Sequence, residues 1–417
     1  MTARPALTAG GGPSQVFDDL RVLDLSRWVA GEFCTKTFAD FGADVIKIEK
    51  PGEGSLTRHR GPYPGDTHNP EASALFLHLN TNKRSVSLDF STTIGRQLLL
   101  ELAAKADLVV ESFRPGTLEC HGIGPRALHE ANPRAVIVRI SAFGQTGRYR
   151  DHEATGLVLQ AMGGPLNATG AADRPPHRKP GMLDHCTIGR MAAEAALGGL
   201  FSARRSGRGS VIDVSGMEAL LAGADRRASY LLTAAYAGMN APRGVRSPHR
   251  GAATFTGSFR CRDGHVMLYV ANQVFWNRLV DLVAAGDDGF RTRFRDRFSF
   301  DSPEEQRAFR DRVEDWFATR SKHDVMAHGQ AAGIPLTAFL DVGEVADSEH
   351  FRGRGYFIKA DHPAVGELEY LGAPWRMRSG WRLRRTAPLL GEDTADVLAE
   401  LNTPLAPAEA PGGAEPV

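Results

Sequence analysis

Short apolar runs alternate with stretches of helical spacing through the first half of the chain, and this alternation restricts the fold more than any other feature. Arg21-Val-Leu-Asp-Leu-Ser26 reads as a strand, residues 32–41 as a helix closed by Gly42, and Asp44-Val-Ile-Lys-Ile-Glu49 as a second strand. Residues 84–90, 107–113 and 135–140 read as further strands, with helices expected over 95–106 and 118–131. Strands joined by crossovers of this length lie parallel and are covered by helices on both faces. The expected fold class is therefore α/β. Ligands in such sheets bind beyond the carboxyl ends of the strands, which directs attention to the loops over 26–31, 49–60, 113–116 and 141–147.

After a strand over 210–215 the texture changes. Residues 225–332 are rich in Arg and aromatics, with a hairpin expected over 254–270 that turns at Arg262-Asp-Gly264 and a helix start at Asp301-Ser-Pro-Glu-Glu305. This predicts a smaller α+β domain over 225–332, inserted into a large domain that takes 17–224 and resumes over 333–402. The ends, 1–16 and 403–417, are dominated by Gly, Pro, Ala and, at the C-terminus, Glu, and read as disordered tails.

At 417 residues the chain suits two domains, and 42% hydrophobic with 24% charged residues is ordinary for a globular protein with a substantial core. With 50 basic against 49 acidic residues, no basic surplus argues for nucleic acid. Apolar runs such as Leu98-Leu-Leu-Glu-Leu-Ala-Ala104 are too short for a membrane span, and residues 1–14 carry no secretory h-region. Cys34, Cys120, Cys186 and Cys261 lie far apart, which argues against a disulfide framework or a zinc site and fits a reducing cytoplasm. His68, His78, His121, His152 and His185 show no paired helical spacing, so no metal is expected.

No Gly-x-Gly-x-x-Gly follows Ser26, and no Gly-x-x-x-x-Gly-Lys-Ser/Thr occurs anywhere, which disfavours dinucleotide redox and nucleoside triphosphate chemistry. Cys186 adjoins His185, but sequence neighbours usually point apart, so a thiol nucleophile is a minor reading. Asp184 is the stronger candidate. It lies in Lys179-Pro-Gly-Met-Leu-Asp-His-Cys-Thr-Ile-Gly-Arg190, just before a stretch with small or apolar residues at 188, 191, 192, 195, 196 and 200. That spacing is helical and puts Asp184 just outside a helix N-terminus, where the dipole and unpaired N–H groups favour an ionised carboxylate. For Asp184 in isolation, a helix cap is the commoner role.

The segments taken together change those odds. Leu23-Asp-Leu-Ser26 and Ala30-Gly31 come first, then Phe41-Gly-Ala-Asp-Val-Ile-Lys-Ile-Glu-Lys-Pro-Gly52 and Leu79-Asn-Thr-Asn-Lys-Arg-Ser-Val-Ser-Leu-Asp89. Ala106-Asp-Leu-Val-Val-Glu-Ser-Phe-Arg-Pro-Gly116, Ile140-Ser-Ala-Phe-Gly-Gln-Thr-Gly147, Asp184, Ser206-Gly-Arg-Gly209 and Pro388-Leu-Leu-Gly391 follow in order. This succession, from about residue 17 to 400, resembles the class III (family III) CoA-transferases, a family that includes formyl-CoA transferase, carnitine CoA-transferase and α-methylacyl-CoA racemase.

The resemblance implies a Rossmann-like large domain built from both chain ends, a smaller α+β domain, and an interlocked ring-shaped homodimer. It implies an enzyme that moves CoA from an acyl-CoA to a small carboxylic acid, with Asp184 as nucleophile carrying first a mixed anhydride and then an aspartyl-CoA thioester. For coenzyme A it implies contacts at Val29, Ala30, Lys50, Leu88 and Asp89 through Ser91, Ser112, Phe113, Arg114, Cys120, and Ala154 and Thr155 within 153–156. Lys50 and Arg114, with Arg58 or Lys83 as further candidates, suit the nucleotide phosphates.

Some positions depart from the family pattern. Val29 stands where formyl-CoA transferase has a Gln, Glu32 replaces the usual Pro after Gly31, and Cys120 and Ser91 stand where that enzyme has basic CoA contacts. Ser247-Pro-His-Arg-Gly-Ala-Ala253 occupies the approximate place of its glycine-rich loop. These changes disfavour formate and oxalate as substrates. The racemase branch pairs the aspartate with a His, but here the matching stretch is Ala154-Thr-Gly156, so that reading needs His152 to reach in from a shifted loop. A racemase or isomerase, and a CoA-binding protein without turnover, are the alternatives.

Overall fold

The computed structural model describes residues 15–170, 174–223, 232, 234–236, 238, 255–297 and 300–402. Two compact units emerge, one from residues 1–244 and 355–417, the other from 245–354.

The first unit is built on six parallel strands: β1 (Arg21–Asp24), β2 (Asp44–Glu49), β3 (Lys83–Ser87), β4 (Leu108–Glu111), β5 (Val136–Ser141) and β6 (Val211–Ser215). Their order across the sheet is β3-β2-β1-β4-β5-β6. Val22 pairs with Val45 on one side and with Leu108 on the other, so the strand order reverses between β1 and β4. That reversal opens a crevice at the carboxyl ends of these two strands.

Strand side chains alternate between the two faces and both faces are covered, hence the near-continuous apolar runs. Val22, Val45, Val110 and Val138 pack on one face against helix Val29–Asp40 and the long helix Leu183–Ser206. Leu23, Ile46, Val109 and Ile137 face the opposite way, against Leu99, Leu102 and Leu128. The long helix lies directly on helix Val29–Asp40: a Cβ on Gly189 would sit 2.4 Å from the Ala30 carbonyl oxygen, so only glycine permits that approach. Gly207, at φ 71°, ends the long helix in the left-handed region.

The helix expected over 118–131 is broken into Thr117–Cys120 and Pro125–Ala131, because Gly122 takes φ 72° and Pro125 begins the second piece. The C-terminal segment clamps the outer edge of the sheet: Asp393 accepts from the Ser85 N–H at 2.8 Å and Thr394 from the Ser87 N–H at 2.9 Å. A hairpin of β10 (Phe357–His362) and β11 (Gly366–Leu371) precedes that segment. No described helix is long and apolar enough to cross a membrane.

In the second unit, β7 (Phe255–Cys261) and β8 (Gly264–Val270) form an antiparallel hairpin joined by β9 (Leu336–Ala338). Trp276 stacks on Phe309 with ring centres 4.7 Å apart and donates to the Phe294 carbonyl at 2.6 Å. Ser302 caps helix Pro303–Ala318, as its sequence signature predicts. The boundary expected at 333 is displaced: β9 hydrogen-bonds to β8, so residues 333–354 stay in this unit and the chain returns from 355. The expected hairpin start at Thr254, the loop Ser247–Ala253 and the tails over 1–14 and 403–417 lie outside the described residues.

Candidate active site

A cleft opens at the reversal point of the sheet. Its walls are Trp28 and Ala30 after β1, Ser112, Phe113 and Arg114 after β4, Ser141 and Ala142 at the end of β5, and Ala154 and Thr155 before helix Gly156–Met162. His185 and Ile188 of the long helix complete the lining.

Asp184 lies beside this lining, 5% exposed. The long helix starts at Leu183, so Asp184 sits inside its first turn and not outside the terminus; the capping position is Met182, with no side-chain cap bond. Oδ1 accepts from the His185 N–H at 2.9 Å and Oδ2 from Gln160 Nε2 at 3.3 Å. The Gln160 amide can point only one way, because its Oε1 accepts the Lys179 N–H at 2.9 Å. A carboxylate held at the positive end of a 24-residue helix is electrostatically favoured.

Gly156 presses against this carboxylate. A Cβ at that position would fall 1.9 Å from Asp184 Oδ2, so the site tolerates no side chain there. Trp28 donates from its indole nitrogen to His185 Nε2 at 3.3 Å. Burial, reinforced by Asp184, pushes the Cys186 thiol up, which disfavours the thiolate a nucleophile would need.

The residues implied for CoA separate into three groups. Ala30, Ser112, Phe113, Arg114, Ala154 and Thr155 line the cleft. Val29 is fully buried behind the wall. Lys50, Leu88 and Asp89 lie outside the cleft lining; the ring of Phe90, next in sequence to Asp89, meets Phe113 of the lining edge-on with centres 5.7 Å apart. Lys50 is exposed and pairs with Glu53 at 2.6 Å, and its charge helps hold the Asp89 carboxyl below the usual range, after hydrogen bonds from Ser91. Arg114 pairs with Glu153 at 2.8 Å in an exposed position. Cys120 is exposed.

Lys83 and Arg58, the further phosphate candidates, are not available to a ligand, because both are fully buried. Lys83 Nζ contacts Asp24 Oδ2 at 3.0 Å, the Glu32 carbonyl at 3.0 Å, Thr35 at 2.7 Å and Asn80 at 2.9 Å. Arg58 grips Glu49 with two bonds of 2.8 Å, pairs with Glu71 at 2.7 Å, and lies 3.6 Å from the Phe76 ring centre.

These residues belong to one buried ionic network beneath the cleft wall. Lys47 reaches Glu32 Oε1 at 3.0 Å and the Ser26 carbonyl at 2.9 Å, and Ser55 and Thr57 also donate to Glu32. Burial opposes the charge on Asp24, but Lys47 and Lys83 outweigh it and bring its carboxyl down to about 2. Glu32, which stands where the family pattern has Pro, is therefore an anchor of the scaffold. Asp24 and Lys47 both bind Ser26, so the network fixes the loop that presents Trp28.

Trp28, Gln160, Arg150 and His185 were not predicted as site residues. His185 alone carried a local signal, its adjacency to Asp184; Gln160 and Trp28 lie 24 and 157 residues from their partners.

A sheet that opens at its reversal point over a buried aspartate fits group transfer on a nucleotide-bearing substrate, and comparison with known proteins makes the class specific: this is a CoA-transferase. The chain belongs to CoA-transferase family III, whose family model matches residues 17–394. It is 31% identical over 397 residues to the succinyl-CoA–D-citramalate CoA-transferase of Chloroflexus aurantiacus, covering 93% of this chain and 94% of that one. It is likewise 31% identical over 402 residues to the acetyl-CoA:oxalate CoA-transferase of Acetobacter aceti, covering 95% and 98%. Among solved structures, a CAIB/BAIF family protein from Brucella suis superposes with a TM-score of 0.82 at 28% identity, over 94% of this chain and all of that one.

Proposed function

We propose that the enzyme exchanges CoA between an acyl-CoA thioester and a small carboxylic acid by covalent catalysis on Asp184. The observation that carries this reading is the placement of Asp184: buried, in the first turn of a long helix, held by Gln160 and facing Gly156, next to a cleft lined by six of the residues implied for CoA.

Asp184 attacks the thioester carbonyl carbon, and collapse of the oxyanion breaks the C–S bond, leaving an aspartyl mixed anhydride and CoA thiolate. The thiolate then attacks the aspartyl carbonyl and expels the first acid, forming an aspartyl-CoA thioester. An incoming carboxylate reverses both steps and leaves as the new acyl-CoA. Each stage makes one activated bond for each one broken, so a carboxylate nucleophile keeps the exchange near thermoneutral. Exclusion of water protects both intermediates, and the burial of Asp184 serves this.

The reading includes the interlocked homodimer and a cytoplasmic setting. Leu183, Leu197 and Phe201 are exposed along one stripe of the long helix, and Leu157 and Met162 are exposed on helix Gly156–Met162. These apolar side chains, which start next to the nucleophile at Leu183 and run on along the helix to Phe201, fit cover by a second copy. CoA would lie along Ala30, Ser112–Arg114 and Ala154–Thr155, with Lys50, Leu88 and Asp89 toward the nucleotide end.

The test is Asp184→Ala: acyl exchange vanishes while CoA still binds, and hydroxylamine trapping during turnover modifies Asp184 in the unaltered protein only. Undiminished exchange in the variant would sink the mechanism. A second reading, proton abstraction α to a thioester, draws on His152, which lines the same cleft against Tyr149. Isotope exchange at the α carbon without acid exchange would select it.

A further inference from the structure

Beside Asp184 stands a polar group that the exchange chemistry above leaves unused. His185 lines the cleft, and its Nε2 lies 3.3 Å from the indole nitrogen of Trp28, with the two rings at 89°. An indole N–H only donates, so Nε2 accepts, and the proton of the neutral ring sits on Nδ1. Burial pushes the imidazole below the ordinary histidine range even with Asp184 adjacent. Nδ1 has no hydrogen-bond partner among the described residues, so the ring retains one unspent N–H donor at the cleft.

Gly156 shows how close the two groups come. A Cβ there would lie 1.9 Å from Asp184 Oδ2 and 3.2 Å from His185 Nε2, so carboxylate and imidazole border the same small space. Nε2 is thus the ring nitrogen turned toward Gly156 and Trp28, and Nδ1, across the ring, is the one left for a group bound in the cleft that His185 lines.

We infer that His185, fixed by Trp28 as the tautomer with its proton on Nδ1, donates a hydrogen bond from Nδ1 to the carbonyl oxygen that becomes negative when Asp184 attacks the thioester. This rests on the nucleophilic reading of Asp184. The carbonyl π pair moves onto that oxygen as the new C–O bond forms, and it returns as the C–S bond breaks and the thiolate departs. No proton changes hands, so the donor strengthens its bond to the oxyanion and relaxes afterwards. A neutral imidazole suits this role better than an imidazolium, because a cation this near would pair with Asp184 and quench the nucleophile. Trp28 is a positioning residue: it holds the tautomer.

The experiment uses the full chain with whichever of acetyl-, succinyl- and formyl-CoA the unaltered enzyme turns over fastest. His185→Leu is expected to lower kcat by roughly 10²- to 10³-fold with KM for the acyl-CoA nearly unchanged, the loss typical of one oxyanion donor. His185→Asn, whose side-chain N–H falls near the place of Nδ1, recovers a tenth or more of the activity. Trp28→Phe frees Nε2 to take a proton, so the acid-side decline of kcat moves to higher pH than in the unaltered enzyme. A kcat within twofold of normal in His185→Leu, or no recovery in His185→Asn, overturns the inference while leaving Asp184 as nucleophile. Full activity in Asp184→Ala, measured alongside, overturns both.

Discussion

Gln160 and Asp184 meet at 3.3 Å from opposite sides of the loop that joins their helices, and the Lys179 N–H at 2.9 Å from Gln160 Oε1 turns the amide so that its nitrogen faces the carboxylate. The pair ties the placement of the nucleophile to helix Gly156–Met162. Gln160→Glu replaces the donor by an acceptor and sets a like charge beside Asp184. Exchange activity should fall on the order of 10²-fold, and Gln160→Leu should cost about tenfold, both in kcat. Equal rates for Gln160→Glu and the unaltered enzyme in a steady-state assay would contradict the arrangement.

Gly156→Ala probes the same space from the other side. The added methyl would overlap Asp184 Oδ2, which must move or rotate away. Activity should drop by more than about 10²-fold, since small misplacement of a reacting group is costly. Thermal stability should fall as well, by about 1–3 kcal/mol for an overpacked methyl. Circular dichroism melting beside the assay separates the two effects.

Lys83 and Lys50 give opposite outcomes. Lys83→Met leaves Asp24 buried with one partner fewer and should cost about 3–5 kcal/mol of stability, read as a lower urea midpoint. Lys50→Ala, at an exposed side chain, should leave that midpoint in place and weaken CoA binding in titration calorimetry. Loss of CoA affinity in Lys83→Met at full stability would return that lysine to the ligand.

His78 supplies an acid-sensitive limb. Burial, with help from the Lys36 charge, brings its imidazole down to about 4 in the folded chain. Between that value and the unfolded one of about 6.5 the unfolded chain binds more protons, so stability is whole above about 6.5 and is lost as pH falls toward 4. His78→Leu should flatten this part of the profile of melting temperature against pH, and an unchanged slope would refute the assignment.

The alternation of strands and helices was legible because a doubly covered parallel sheet requires continuous apolar runs, and Asp44–Glu49 coincides with β2 to the residue. The break inside the helix expected over 118–131 was carried by Gly122 and Pro125, local signals that outweigh the apolar content around them. Lys83 and Arg58 were misread because a lone cation in sequence carries no sign of burial. Their counter-charges are Asp24, 59 residues away, and Glu49, and only the sheet brings them together.

What the sequence alone determined is the α/β class, the order of segments that marks CoA-transferase family III, and Asp184 as the residue to test. Local periodicity and motif order are properties of a line and survive without a fold. The tertiary structure decided the rest: Asp184 inside the helix turn, Gln160 and Gly156 against its carboxylate, Trp28 on His185, and the enclosure of Lys83. Apart from the helix start at Leu183, each of these depends on a distance between residues far apart in the chain, set by how the strands cross and how closely glycines let the helices approach.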